Sequence, residues 1–292
     1  MLLKDKNIVI TGSGRGIGKS VAIACAKEGA NVGLTSRTIE ELNATKKEIE
    51  SLGVNVKIVV KPADITKYGE AEQIFKEFHE ELGLLNGIVA NAGYSRMSIT
   101  HEFYPEKFSE IIDVNILGVF NTFKAAYPYL KKDDKNAKAR FIITGSAAYT
   151  NPMPKFAAYT ASKYATVGMQ KSLAQEYKKE NITFNQILPT MVDTRLLRGK
   201  KAGDGNKAPA VMDPSELTEY YLFLLSDDAN RVNDQLLFTT DIQKVQKLIS
   251  EAPAEKKENA DIFMEYLQES SPKIYNNVRK LKKLVQSLMD KY

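Results

Sequence analysis

Seven short apolar runs rich in β-branched residues, at 7–11, 32–36, 56–60, 87–90, 141–144, 182–188 and 236–239, alternate along this chain with segments of helical periodicity. The helical patterns fall at 17–28, 39–51, 70–82, 108–130, 157–179 and 215–225. Strands separated by helices cannot pair as tight hairpins, and parallel pairing needs crossovers of about a dozen residues or more. The alternation therefore predicts an α/β class, a doubly wound seven-stranded parallel sheet with helices on both faces and right-handed connections. Two helix starts carry capping signals. Thr38 with Glu41 and Asp213 with Glu216 both read as capping boxes, the second with Pro214 at the first helical position.

Beyond residue 241 the pattern is helical only. Pro253 and Pro272 divide it into segments at 242–250, 260–270 and 273–291. In the last, Ile274, Val278, Leu281, Val285 and Leu288 step by four and three, a short heptad seam beside the basic residues Arg279, Lys280, Lys282 and Lys283. Such a segment can dock on its own domain, meet another subunit or touch a membrane surface. The stretch 199–209, rich in Gly, Lys and Ala, reads as a mobile loop.

Composition removes several chemistries. The net charge of +5 comes from lysines scattered over apparent helix faces, a solvated surface rather than a nucleic-acid footprint. No apolar stretch is long enough to span a membrane, and the N-terminus lacks the apolar core of a signal peptide. Cys25 is the single cysteine, which excludes an internal disulfide and fits the reducing cytoplasm. The only two histidines, His79 and His101, belong to no ligand-spaced cluster. No metal site is expected, and an acid–base enzyme of this sequence must move its proton with another residue.

Between the first strand and the first helix lies Ile-Thr-Gly-Ser-Gly-Arg-Gly-Ile-Gly, residues 10–18. Gly12, Gly14, Gly16 and Gly18 let an anion approach the helix N-terminus, where free N–H groups and the helix dipole favour phosphate. The spacing Thr11-Gly12-x-x-x-Gly16-Ile17-Gly18 fits neither the strict G-x-G-x-x-G pattern nor the phosphate loop of nucleoside triphosphatases, and points to a dinucleotide. At the end of the second strand, NAD sites place a carboxylate for the ribose hydroxyl. Here Ser36 and Arg37 stand instead, and Arg15 can approach from the glycine loop, so the reading is NADP(H).

Tyr159 and Lys163 lie four apart on one predicted helix face. A nearby ammonium favours phenolate and makes tyrosine a usable acid–base group. Ser146, at the end of the fifth strand, is placed to orient a substrate carbonyl.

From about residue 4 to 241 the chain resembles the short-chain dehydrogenase/reductase family, and in motif style its 3-oxoacyl-[acyl-carrier-protein] reductase-like members. The resemblance rests on the glycine loop, on Asn91-Ala92-Gly93 after the fourth strand, and on Ser146, Tyr159 and Lys163 at the family spacing. It implies a Rossmann domain at 1–241 and a helical extension at 242–292. It also implies Asn115, Ser146, Tyr159 and Lys163 as the catalytic set. Tyr159 is then the general acid/base, Lys163 binds the nicotinamide ribose and lowers the tyrosine pKa, and Asn115 positions a water. For the cofactor it implies contacts from Ser13, Asp64 and Ile65, and from Pro189, Val192 and Thr194 near the carboxamide.

Two departures stand out. Pro189 is followed by Thr190 where the family has glycine, and the seventh strand runs straight into the helical tail. Many relatives form tetramers through that strand edge, so a dimer through the helices at 108–130 and 157–179 is the alternative assembly. The implied activity is NADPH-dependent reduction of a carbonyl on a small or medium organic substrate, 3-oxoacyl thioesters among the candidates. Tyr94, Met97, Tyr149, Met153 and the segment 191–212 are candidate pocket residues. The alternative is a non-catalytic NADP(H)-sensing protein whose tail engages a partner.

Overall fold

The computed structural model describes residues 1–133 and 138–290. Strands β1 (Asn7–Thr11), β2 (Asn31–Thr35), β3 (Ile58–Val60), β4 (Gly87–Ala90), β5 (Ala139–Thr144), β6 (Ile182–Leu188) and β7 (Gln235–Phe238) form one sheet in the order 3-2-1-4-5-6-7. Every neighbouring pair is parallel. The connection direction reverses between β1 and β4, which opens a crevice at their C-terminal ends.

Helices α1 (Gly16–Lys27), α2 (Ile39–Glu50), α3 (Tyr68–Leu82), α4 (Pro105–Ile112), α5 (Gly118–Ala126), α6 (Ala157–Glu176), α7 (Arg195–Arg198) and α8 (Thr218–Leu225) supply the crossovers. The sheet's period of two sorts its side chains. Ile8 and Ile10 point into the apolar layer shared with α1 and α8, whereas Val9 points into the layer shared with α3 and α5. Both faces are buried, which is why the strands read as nearly continuous apolar runs.

The predicted helix at 108–130 is not continuous. A π-helical turn, Asp113–Leu117, separates α4 from α5, and α5 gives way to a 3₁₀ turn, Tyr127–Tyr129, around Pro128. Proline lacks the N–H that another α-turn needs. Of the two capping boxes, the one at Asp213 forms with both hydrogen bonds. The one at Thr38 does not, because Glu41 turns its carboxylate to Arg15 and Arg195 instead of back to the cap. Two guanidinium charges are stronger partners for it than one neutral N–H.

After β7 come α9 (Thr239–Glu251), α10 (Ala260–Ser270), α11 (Pro272–Val278) and α12 (Lys282–Met289). The segment predicted at 273–291 thus breaks at a 3₁₀ turn, Arg279–Leu281, and its last residue, Lys291, lies outside the described residues. Val278, Leu281, Val285 and Leu288 are buried, in one apolar cluster with Val21 and Cys25 of α1 and Tyr220 and Leu224 of α8. The seam therefore docks on the chain's own core. Burial pushes the Cys25 thiol far up, as expected of a packed, inert cysteine. Among the described residues no helix is long and apolar enough to cross a membrane.

Leu284, fully buried in this cluster, measures how far the tail shares the core. Leu284→Ala is expected to cost about 2–5 kcal/mol in urea denaturation of the whole chain. A cost near zero would mean that the tail packs loosely.

Candidate active site

The site assembles where β1, β4 and β5 end. At the turn from β1 into α1, Gly16 takes φ +54°, and Gly18 sits so close to the preceding strand end that a Cβ would come within 2.4 Å of the Gly12 carbonyl. Only glycine fits there. No side chain caps α1, and no acidic residue stands in its first turn. A helix start without a side-chain cap or an acidic first turn, beside a glycine-rich loop, fits the phosphates of a dinucleotide. Ser13 is buried in the loop, its hydroxyl 3.4 Å from the Thr35 carbonyl.

Asn91 stitches this loop to β4 and β5. Its Nδ2 donates to the Thr11 carbonyl at 3.0 Å and reaches the Gly12 carbonyl at 3.3 Å, while its Oδ1 accepts from the Thr144 hydroxyl at 3.2 Å. Thr11 Oγ1 in turn accepts the N–H groups of Asn91 and Ala92, at 3.0 and 3.1 Å. A Cβ at Gly93 would come into ordinary contact with Asn115 Oδ1 at 3.5 Å and Leu196 Cδ1 at 3.9 Å.

At the end of β2, Arg37 is exposed and Ser36 half-buried beside it. Burial alone would raise the Asp64 carboxyl, but the Thr66 N–H and hydroxyl, with the Arg37 charge, hold it below the usual carboxylate range. Ile65 is largely spent inside. A Cβ at Gly118 of α5 would come within 2.7 Å of its side chain, and its carbonyl accepts from Asn121 at 2.9 Å. Arg15 departs from the simplest expectation. Its guanidinium lies 3.0 Å from Glu41 rather than standing free.

The acid–base group sits on the far side of the crevice. The Ser146 hydroxyl accepts the Ala148 N–H at 3.1 Å and lies near enough to the Tyr159 phenol to influence its pKa. Desolvation raises the phenol pKa although part of the ring remains exposed, and Ser146 pulls the other way. Lys163 is buried. Its Nζ donates to the Thr144 carbonyl at 2.9 Å and lies 5.5 Å from the centre of the Tyr159 ring, and burial brings its pKa down to about 8. Desolvation is the larger influence on the phenol, and the Lys163 ammonium, with one of its three N–H groups on the Thr144 carbonyl, stands beside the ring.

Asn115 lies in the π-helical turn, where such turns often mark functional sites. Its Oδ1 accepts the Tyr94 N–H at 2.8 Å, and its Nδ2 donates to the Tyr94 carbonyl and to Ser162 Oγ, each at 2.9 Å. Ser162 then donates to the Tyr159 carbonyl at 2.7 Å. The amide ties α6 to the segment after β4. Thr144 and Ser162 were invisible as site residues in the sequence. Their only signals are that Thr144 ends a strand two residues before Ser146 and that Ser162 lies one helical turn past Tyr159.

The segment after β6 closes over the crevice. Pro189 O accepts the Ala147 N–H at 2.7 Å, Val192 is buried, and a Cβ at Gly16 would come within 3.0 Å of the Thr194 methyl. Arg198, just before the stretch expected as a mobile loop, bonds Asp193 at 2.9 Å and, inside that stretch, Asp204 and the Asn206 carbonyl at 2.7 Å. Of the candidate pocket residues, Met97, Met153 and Met191 are exposed, Met212 is buried, and the Tyr149 ring packs against Tyr164 at a tilt of 57°.

Comparison with known proteins agrees with this geometry. Residues 6–205 match the family model described as short chain dehydrogenase. The chain is 28% identical over 243 residues to 3alpha-hydroxysteroid dehydrogenase of Mediterraneibacter gnavus, a match that covers 81% of this chain and 96% of the relative. It superimposes with a TM-score of 0.73 on 3-ketoacyl-(acyl-carrier-protein) reductase from Brucella melitensis complexed with NADH, at 27% identity over 81% of this chain and 97% of that one. A TM-score of 0.73 also relates it to a short chain dehydrogenase from Burkholderia cenocepacia in complex with NADP, at 25% identity over 82% of this chain and 97% of the other. With the family model spanning most of the sheet and both halves of the crevice, the chain belongs to the short-chain dehydrogenase/reductase family, oxidoreductases of alcohol and ketone groups that work with a nicotinamide dinucleotide.

Proposed function

We propose that this protein is an NADP(H)-dependent reductase of a carbonyl on a small or medium organic substrate, with Tyr159 as the proton donor. The reading is carried by one arrangement. The Ser146 hydroxyl meets the Tyr159 phenol on the same crevice that the uncapped, glycine-lined start of α1 faces. Residues 12–18, Ser36, Arg37 and the Asn91–Gly93 turn would hold the dinucleotide, whose nicotinamide ring supplies the hydride when bound.

The chain's own residues handle the oxygen and its proton. Ser146 donates to the carbonyl oxygen and orients it, and Tyr159 delivers the proton as negative charge develops there. A raised phenol pKa keeps Tyr159 protonated at neutral pH, the form that reduction needs. Lys163, anchored on Thr144, keeps a positive charge behind the phenol, while Asn115 and Ser162 fix the start of α6. Exposed Met97, Met153 and Met191 favour an apolar substrate body, and adaptable methionines suit a substrate-binding surface.

For the assembly we favour a homodimer through α4, α5 and α6. Phe108, Leu117, Phe120 and Tyr164 are large apolar or aromatic side chains left exposed on those elements. The tail and α8 share one core, which supports a dimer over a tetramer built on that side.

Three outcomes are expected. With a panel of ketones and 3-oxoacyl thioesters followed by NADPH absorbance, Tyr159→Phe is expected to lose at least 10²-fold in kcat while keeping NADPH binding. Turnover that survives this change would sink the proton-donor role. Phe120→Glu is expected to shift the mass in solution from dimer towards monomer, and an unchanged mass counts against that interface.

The third concerns Lys163, whose pKa falls from 10.5 to about 8 on burial. Between those values the unfolded chain binds a proton that the folded chain refuses, so stability rises with pH there. Lys163→Met removes this dependence. Its melting temperature relative to wild type is expected to be highest near pH 7 and to fall by several degrees towards pH 10. A difference that is flat with pH would show that Lys163 titrates normally in the folded chain.

A further inference from the structure

Three elements distant in sequence meet at one carboxylate. Glu41, in the first turn of α2, accepts from Arg15 Nη1 at 3.0 Å to Oε1 and 3.4 Å to Oε2. Arg195, the first residue of α7, reaches the same Oε1 at 2.8 Å. Glu41 thereby links the glycine loop to the segment that closes over it.

The carboxylate is held there by the fold. Thr45, one turn further along α2 and fully buried, places its hydroxyl 3.1 Å from the Ser13 carbonyl and 3.4 Å from that of Gly14. This pins α2 onto the glycine loop. The approach is so close that a Cβ at Gly14 would stand 2.9 Å from Glu41 Cβ, 3.2 Å from Ser36 Oγ and 3.4 Å from Glu41 Oε2. The carboxylate therefore lies between the loop and the end of β2, beside Ser36 and one residue from Arg37. On the other side, a Cβ at Gly16 would meet the Thr194 methyl at 3.0 Å and one at Gly93 would meet Leu196 at 3.9 Å.

We infer that Glu41 is a cofactor-specificity determinant, the built-in anion that a ribose 2′-phosphate must displace from Arg15. The inference rests on the NADP(H) reading above and adds a residue to it. A phosphate monoester carries about −1.5 to −2 charges and three acceptor oxygens, against a single charge on the carboxylate. It can take Arg15 from Glu41. A ribose bearing only hydroxyls cannot, so NAD(H) leaves the Glu41 pairs intact. Glu41 thus sets a cost that NADP(H) alone meets in displacing it, and ties that exchange to Arg195 at the start of α7.

The test is calorimetric titration of wild type and Glu41→Gln with NADPH and with NADH, without substrate. Removing the competing charge is expected to tighten NADPH roughly three- to tenfold, equivalent to about 0.7–1.4 kcal/mol, and to leave NADH within about twofold. In an Arg15→Gln background the gain from Glu41→Gln is expected to vanish, because nothing is left to compete for. Melting temperatures of the four proteins check that all are folded, and Glu41→Ala serves in place of Glu41→Gln if the amide itself binds Arg15. If wild type binds NADH as tightly as NADPH, the NADP(H) reading fails and the inference goes with it. If wild type prefers NADPH but the variant moves neither cofactor, or both equally, the role of Glu41 alone is overturned.

Discussion

A transverse hydrogen-bond chain across the ends of three parallel strands holds the functional half of this molecule together. Thr11 at the end of β1 accepts from Asn91 and Ala92, Asn91 accepts from Thr144 at the end of β5, and the Thr144 carbonyl accepts from Lys163 of α6. Tyr221 of α8 closes on the Thr144 hydroxyl at 2.7 Å. Since that hydroxyl gives its one proton to Asn91, the tyrosine is the donor. Each member is buried or half-buried, so losing one leaves a desolvated polar group in its neighbour. The chain makes the cofactor loop and the acid–base helix one rigid unit.

Around this unit the electrostatics divide into two regimes. Tyr159 and Lys163 are governed by desolvation, which favours the neutral form of each. Arg15, Glu41 and Arg195 are governed by exchangeable ion pairs near solvent, individually weak but responsive to an incoming anion. On the function proposed above, rigid placement would suit the proton transfer and replaceable pairing the reading of the cofactor.

Much of this was legible in the sequence, for physical reasons that can be named. Strand–helix alternation and the glycine loop are local, and three of the seven strands, 7–11, 87–90 and 182–188, match their predicted limits. The placement of Ser146 against Tyr159 followed from a strand end and a helix face. What escaped was competition between partners. Thr38 and Glu41 satisfy the pattern of a capping box, yet arginines 26 residues before and 154 residues after Glu41 take its carboxylate. Lys163 likewise reads from its spacing as a neighbour of Tyr159 alone, and only the fold shows that one of its N–H groups is held by the Thr144 carbonyl. Sequence spacing reports which groups are near along a helix, not which of several partners wins.

The docking of α9–α12 has a consequence for how the protein is made. The apolar faces of α1 and α8 find their cover in residues that follow the last strand of the sheet, among them Phe263, Leu267, Leu284 and Leu288. Until α9–α12 have been synthesised, that helical layer lacks its cover. Nascent chains of this protein therefore spend that interval with a sticky flank, and a chaperone that shields apolar surface has a defined window and a defined face on which to act.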